Sequence, residues 1–287
     1  MPTDAESTPK ELAKEADKMR EYERFQPALQ MIDKAISKEP SNGHFYLTKA
    51  KIYDDMGNAQ EAISNYTKAI RFSPKSFDAY RLRGKLNASM KQYDKAIQDF
   101  TKSIEIKPDF KGGYADRALT YEVMKNYQKA IEDYSETIKH TDIVRDWYWN
   151  HRAKCYVALK QYDKAIRDYD QALKIKPASY EAIHGRAQMY VFLGKPDLAL
   201  VDYKSLLKIH PDDPDAYIKI GDIYFQQGDS KKALDAYNLA MEVEIDESPF
   251  IYEKRARVLR KLGKNDLAIK DERKAMQLRQ ISPGLKN

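Results

Sequence analysis

The stretches YDKAIQDFTKSIEIKP (93–108) and YDKAIRDYDQALKIKP (162–177) are two copies of one pattern. Both end in proline, and prolines recur along the chain at intervals of 34 residues. Self-similarity at a period of this length is typical of proteins built from stacked structural repeats. The recurring residues are Pro40, Pro74 and Pro108 in the first part of the chain, and Pro177 and Pro211 in the second.

Eight repeats of 34 residues fit the chain when Pro40 is placed at position 32 of a repeat. One extra residue then falls after the fourth repeat and one after the seventh. Position 8 is Ala or Gly in every repeat, and position 20 is always Ala. Small residues at such positions let two helix backbones approach closely. The repeats begin at Pro9, Gly43, Phe77, Lys111, Asp146, Tyr180, Pro214 and Pro249.

Within a repeat, the apolar and aromatic positions have the spacing of two helices. Positions 4, 8 and 11 lie on one stripe of a helix, and positions 20, 24 and 27 lie on a stripe of a second helix. Glycine near position 15 favours a helix end, and the proline at position 32 closes the second helix. Each repeat is therefore predicted to be two antiparallel amphipathic helices. The glycines at the predicted turn are Gly57, Gly194, Gly228 and Gly263.

This pattern of aromatic residue, small residue, tyrosine, alanine, aromatic residue and proline over 34 residues resembles the tetratricopeptide repeat family. The resemblance implies an all-α fold, a right-handed superhelical solenoid of stacked antiparallel helix pairs. It covers residues 9–282, which are expected to form a single solenoid. Residues 1–8 are predicted to be a disordered N-terminal tail and residues 283–287 a C-terminal tail.

A scaffold for protein interactions is the function that this resemblance implies, with first helices lining a concave groove. No phosphate-binding glycine loop, HExxH motif or GxSxG nucleophile motif occurs in the chain. The chain is therefore predicted to be non-enzymatic and to need no cofactor. Its 33% charged residues carry a net charge of only +6.

The single cysteine excludes a disulfide framework and a multi-cysteine zinc site. Cys155 follows His151 by four residues, a spacing that metal ligands tolerate, and His184 follows in the next repeat. Position 10, where Cys155 lies, is otherwise mostly apolar, as in Ile52 and Leu86. We therefore expect a buried cysteine and no metal site.

A charged pair recurs between positions 7 and 23. Where position 7 is arginine, position 23 is aspartate, and the two disappear together in the other repeats. A ladder of arginines that binds phosphates is one interpretation, and a repeated structural ion pair is the other. The structural interpretation is favoured, because a phosphate ladder needs no matching aspartate. The pairs are Arg83 with Asp99, Arg117 with Asp133, Arg152 with Asp168, Arg186 with Asp202, and Arg255 with Asp271.

The predicted binding site lies in repeats five to seven, at positions that face the expected groove. Aromatic and amide side chains occur there where packing does not require them, and such residues mark binding surfaces. The extra residue at 143–145 is expected to reshape the groove locally. Packing of Trp147 and Phe225 as ordinary core residues is the alternative. The predicted site residues are Trp147, Asn150, His151, Lys154, Glu181, His184, Gln188 and Phe225.

A second candidate is a basic patch in repeat eight. Four basic residues fall on its groove positions, where they could receive an acidic peptide or a nucleic-acid backbone. Few aromatic residues accompany them for stacking on bases, so RNA is the weaker expectation. The alternative function is therefore an RNA-associated helical-repeat protein, and a solvated end face is the remaining interpretation. The patch consists of Lys254, Arg257, Arg260 and Lys261.

The expected partner is a protein or peptide segment, and nucleic acid is not expected. The family's clamp for chaperone C-terminal tails needs asparagines at positions 6 and 9, and this chain has none there. No apolar run is long enough for membrane insertion, and no signal peptide is recognisable at the start. A cytoplasmic protein is predicted, with a periplasmic or secreted one as the alternative if a signal peptide has been removed.

Overall fold

The structure is a computed structural model that describes residues 7–139, 145–244 and 248–281. The described residues form sixteen α-helices and no strand. The chain divides into two compact units, Met1–Ile143 and Val144–Asn287. The helices of the first unit are α1 (Pro9–Glu21), α2 (Phe25–Lys38), α3 (Gly43–Asp55), α4 (Ala59–Phe72), α5 (Phe77–Ser89), α6 (Tyr93–Ile106), α7 (Lys111–Val123) and α8 (Tyr127–Lys139).

The second unit also has eight helices in its described part. They are α9 (Asp146–Ala158), α10 (Tyr162–Ile175), α11 (Tyr180–Phe192), α12 (Pro196–Ile209), α13 (Pro214–Gln226), α14 (Ser230–Val243), α15 (Pro249–Lys261) and α16 (Asn265–Ile281). In each unit, consecutive helices pack as pairs, and the second helix of a pair packs on the first helix of the next. The predicted all-α fold of stacked helix pairs is confirmed.

A single solenoid over residues 9–282 stays a prediction, because the chain divides into two compact units. Residues 1–6 and 282–287, which include most of the two predicted tails, lie outside the described residues. So do Ile143 and Val144, two of the three residues around the predicted insertion.

The turn inside every helix pair contains one residue with a left-handed backbone. Four of these are the glycines noted above, with φ between 67° and 85°. The other four pairs have a non-glycine residue at the same position, with φ between 57° and 61°: Glu23, Lys91, Lys125 and Lys160. A side chain in this region crowds the following carbonyl oxygen, which costs about 1 kcal/mol. These four turns therefore carry backbone strain that the other four avoid.

Lys91→Gly is expected to raise the free energy of unfolding by about 0.5–1 kcal/mol, because glycine removes this strain at some cost in unfolded-chain entropy. Chemical denaturation measures the change. Gln98→Gly, in the exposed interior of α6, is the matched control and should lower stability by about 1 kcal/mol. A loss of stability in Lys91→Gly would contradict the prediction.

The core of each unit lies between its consecutive packed helices. The aromatic residues at position 24 include the largest fully buried side chains, among them Tyr66, Phe100 and Tyr134. The small residue at position 8 lies against this ring. At Gly221, a Cβ atom would come within 2.6 Å of the Tyr237 ring. Close helix approach in each pair therefore depends on a small residue opposite a large one.

All five arginine–aspartate pairs form, each with two hydrogen bonds between one guanidinium and one carboxylate. The aspartates are buried. A third guanidinium nitrogen of Arg83, Arg117, Arg186 and Arg255 also donates to the second helix of the preceding repeat, as in the bond from Arg117 to Thr101. Hydrogen bonding to Asp133 raises the pKa of Arg117 above its usual value. The arginines thus join neighbouring helices, as the structural interpretation requires.

Candidate functional site

A pocket of about 410 Å³ lies between α9, α10 and α11, and we call it the α9–α11 pocket. Half of the predicted site residues line it: Lys154, Glu181, His184 and Gln188. The last three are spaced three and four residues apart on α11, so they share one face of the helix. Lys154 faces them from the last part of α9.

Charged and aromatic groups in this pocket are held by neighbours. Lys154 and Glu181 form an ion pair between α9 and α11, and both side chains remain close to half exposed. Nε2 of His184 lies 2.9 Å from Oδ2 of Asp215 on α13. This hydrogen bond lowers the pKa of the Asp215 carboxyl. The Tyr180 ring stacks on the His184 ring with centroids 5.7 Å apart. The arrangement orients the imidazole and keeps both signs of charge accessible.

Five lining residues were not among the predicted ones: Val157, Tyr169, Tyr180, Gly185 and Met189. Gly185 lies at position 6, and a Cβ atom there would come within 2.4 Å of Cζ of Tyr169. The signal in the sequence was this glycine, because the other seven repeats have a larger side chain at position 6. Burial raises the pKa of the Tyr180 phenol to about 12, so its hydroxyl stays protonated near neutral pH.

Trp147 and His151 lie on α9, outside the α9–α11 pocket but on the helix stripe that leads to Lys154. Their rings meet edge to face with centroids 5.3 Å apart. Trp147 is half-buried, and its ring also contacts Tyr148. These two residues therefore extend the polar and aromatic surface of the pocket along α9.

Two predicted site residues are placed differently from the expectation. Asn150 was expected on a solvated surface, but it is only 1% exposed. Position 5 is also buried at Ala13, Leu47 and Ala115, because this position turns toward neighbouring helices. Phe225 is partly buried against an apolar cluster that includes Tyr237. It therefore packs as a core residue, which was the alternative interpretation of this position.

Two of the four residues in the basic patch of repeat eight are neutralised by carboxylates of the chain. Lys254 donates to both oxygens of Asp222, at 2.6 and 2.8 Å. Arg260 forms two hydrogen bonds with Glu272. The Lys261 ammonium lies 5.1 Å from the centre of the Phe225 ring. In the described part of the chain, only Arg257 and Lys261 of this patch have no carboxylate within ion-pair distance.

Cys155 is fully buried, as expected from its packing position. Across residues 7–139, 145–244 and 248–281, no group of three or more histidine, cysteine or acidic residues is arranged to hold a metal ion. Within the same ranges, no helix combines the length and apolar character needed to cross a membrane.

Family comparison supports the repeat assignment. Models described as tetratricopeptide repeat match residues 43–76, 77–110, 147–179 and 214–244, and one described as TPR repeat matches residues 187–228. The chain belongs to the tetratricopeptide repeat family. The comparison with curated proteins found no match.

Solved structures of tetratricopeptide repeat proteins share the fold. The C-terminal part of a TPR repeat-containing protein from Cytophaga hutchinsonii has a TM-score of 0.72 and 18% identity, over 82% of this chain and 96% of that one. A tetratricopeptide repeat protein from Parabacteroides merdae has a TM-score of 0.57 and 20% identity, over 88% and 98%. YrrB, described as a TPR protein with an unusual peptide-binding site, has a TM-score of 0.57 and 20% identity, over 63% and 93%.

Proposed function

We propose that this chain is a non-enzymatic scaffold that binds a peptide or protein segment at the α9–α11 pocket and along the adjoining face of α9. The observation that supports the proposal is the convergence of Lys154, Glu181, His184 and Gln188 on one pocket. Such a set of accessible charges, an imidazole and an amide offers donors and acceptors to a peptide backbone and its side chains.

Family membership agrees with this proposal, since repeat solenoids use their stacked helices as extended binding surfaces. YrrB, one of the structural neighbours, is described as having a peptide-binding site. The RNA-associated alternative is less favoured, because Lys254 and Arg260 are already paired with carboxylates. A cytoplasmic location, with a periplasmic or secreted one as the alternative, stays a prediction.

Affinity selection tests the proposal. The full chain is immobilised and exposed to a synthetic library of random nonapeptides with blocked ends, and retained peptides are sequenced by mass spectrometry. Single charge reversals, Lys154→Glu and Glu181→Lys, are expected to change the retained set. The double exchange restores the ion pair but reverses its polarity, so it should not recover the original peptides.

The exposed Lys102–Glu105 pair on α6 provides the matched control. Exchange of these two charges should leave the retained peptides unchanged, because the pair lies in the other unit and far in sequence from the pocket. If no peptides are retained above a blank support, the proposed function is wrong. If Lys154 and Glu181 variants retain the same peptides as the unmodified chain, the site is wrong.

A further inference from the structure

A second pocket, of about 230 Å³, lies between α11, α12 and α13, and we call it the α11–α13 pocket. It shares Gln188 with the α9–α11 pocket, so the two are neighbours. Val191 and Phe192 supply apolar walls, and the Phe192 side chain is largely exposed, at 64%. Tyr203 lines it from α12, and Lys219 and Asp222 line it from α13.

The Tyr203 hydroxyl is buried and has no hydrogen-bond partner among the described residues. Equivalent tyrosines at position 24 of three other repeats donate to a carboxylate of the chain. The bonds are Tyr66 to Asp54 at 3.1 Å, Tyr134 to Glu122 at 2.7 Å and Tyr237 to Asp222 at 2.7 Å. A buried hydroxyl without a partner costs free energy, so the missing acceptor at Tyr203 needs a physical reason.

The difference lies in the first helix of repeat six. Asp54 and Glu122 occupy position 12 of their repeats, and Asp222 occupies position 9. In repeat six, position 12 is Val191 and position 9 is Gln188, and both line the α11–α13 pocket. Helix α11 therefore lacks the carboxylate that accepts from the equivalent tyrosine in the three other repeats. The α11–α13 pocket adjoins the place where that carboxylate would lie.

Charge in the pocket also favours an acidic ligand. Asp222 is neutralised by Lys254 and accepts from Tyr237. Lys219 is only loosely paired, since the nearest carboxylate oxygen in the described residues belongs to Asp215 and is 3.9 Å away. That carboxylate is already engaged by His184 through its other oxygen. Burial raises the pKa of the Tyr203 phenol, so the hydroxyl keeps its proton and remains a donor.

We propose that the α11–α13 pocket binds a glutamate side chain of the peptide, with its carboxylate between the Tyr203 hydroxyl and Lys219. The methylene groups of the glutamate pack on Val191 and Phe192, and the ligand carboxylate replaces the acceptor that other repeats supply internally. This inference rests on the proposed function and assigns a residue preference to the surface next to the α9–α11 pocket.

The same nonapeptide library tests the preference, read as the ratio of glutamate to glutamine in the retained peptides. The unmodified chain is expected to enrich glutamate about tenfold, as for a hydrogen bond to a charged group. Tyr203→Phe removes one oxygen atom, and Lys219→Met removes one charge. Each should lower the ratio severalfold toward one. Tyr134→Phe is the matched control, because its hydroxyl donates to Glu122, and it should leave the ratio unchanged.

Each outcome decides a different question. Retention of peptides without glutamate enrichment overturns this inference and leaves the proposed function standing. Enrichment that survives both Tyr203→Phe and Lys219→Met also overturns it, because another site must then select glutamate. A second library, whose peptides have a free C-terminal carboxylate, distinguishes a side-chain carboxylate from a chain-end carboxylate. If peptides are retained through this pocket only from the second library, the pocket binds a chain end, and the glutamate proposal is overturned. No retained peptides in either library overturns both proposals.

Discussion

Arg152→Ala is expected to lower the free energy of unfolding by about 3–5 kcal/mol, the range measured when one partner of a buried ion pair is removed. Asp168, whose side chain is only 6% exposed, would lose both guanidinium hydrogen bonds and the neighbouring positive charge. Burial already raises the pKa of its carboxyl, so its charged form would lose the groups that stabilise it. The Arg152 side chain is itself only 15% exposed, so water does not already weaken the pair. Urea denaturation followed by circular dichroism measures the change.

A double-mutant cycle with Asp168→Ala separates the pair from its surroundings. The double variant should be clearly more stable than the sum of the two single changes predicts, because it leaves no unpaired buried charge. The exposed control is Arg260→Ala, which removes a similar two-bond pair with Glu272 whose side chains are 50% and 44% exposed. That variant should unfold at the same urea concentration as the unmodified chain. An Arg152→Ala variant of unchanged stability would refute the structural role.

Trp147→Ala is expected to weaken binding of a selected nonapeptide about thirtyfold, which corresponds to about 2 kcal/mol. Trp147 lies on the stripe of α9 that leads to the α9–α11 pocket, and tryptophan is enriched among the residues that dominate binding energy. Fluorescence anisotropy of the labelled peptide measures the dissociation constant. Helix content and melting temperature should remain close to those of the unmodified chain.

The chain's other tryptophan is the control. Trp149 is partly buried against the core cluster of Ala153 and Tyr169, so Trp149→Ala should lower the melting temperature through lost packing. If Trp147→Ala lowers the melting temperature as much as Trp149→Ala does, Trp147 is a core residue. A variant that is stable and binds normally would move the site elsewhere, first to Arg257 and Lys261 of the basic patch.

Much of the fold was predictable because each helix pair is specified locally. Periodic apolar positions determine the buried faces, and proline at position 32 ends the second helix. Glycine at position 15 predicted four turns, but Lys91 and Lys160 adopt the same left-handed backbone without that signal. Their conformation follows from packing of the flanking helices, which outweighs a local cost of about 1 kcal/mol. The arginine–aspartate pairs were also predictable, because both partners recur at one spacing.

The candidate site was only partly predictable, because equivalent positions acquired different surroundings. His184 and Asn150 share position 5, yet His184 lines a pocket and Asn150 is buried. Tyr203 and Tyr134 share position 24, yet only Tyr134 has an acceptor within its repeat.

The sequence by itself determined the helices, their pairing and the direction in which each side chain leaves its helix, since these depend on residues within one repeat. The tertiary structure alone decided which polar groups are paired, neutralised or left to face a pocket. Those outcomes depend on side chains of adjacent helices, such as Asp222 beside Lys254, 32 residues away. The periodicity of one helix does not indicate whether the neighbouring side chain on another helix is a carboxylate, an amide or a valine.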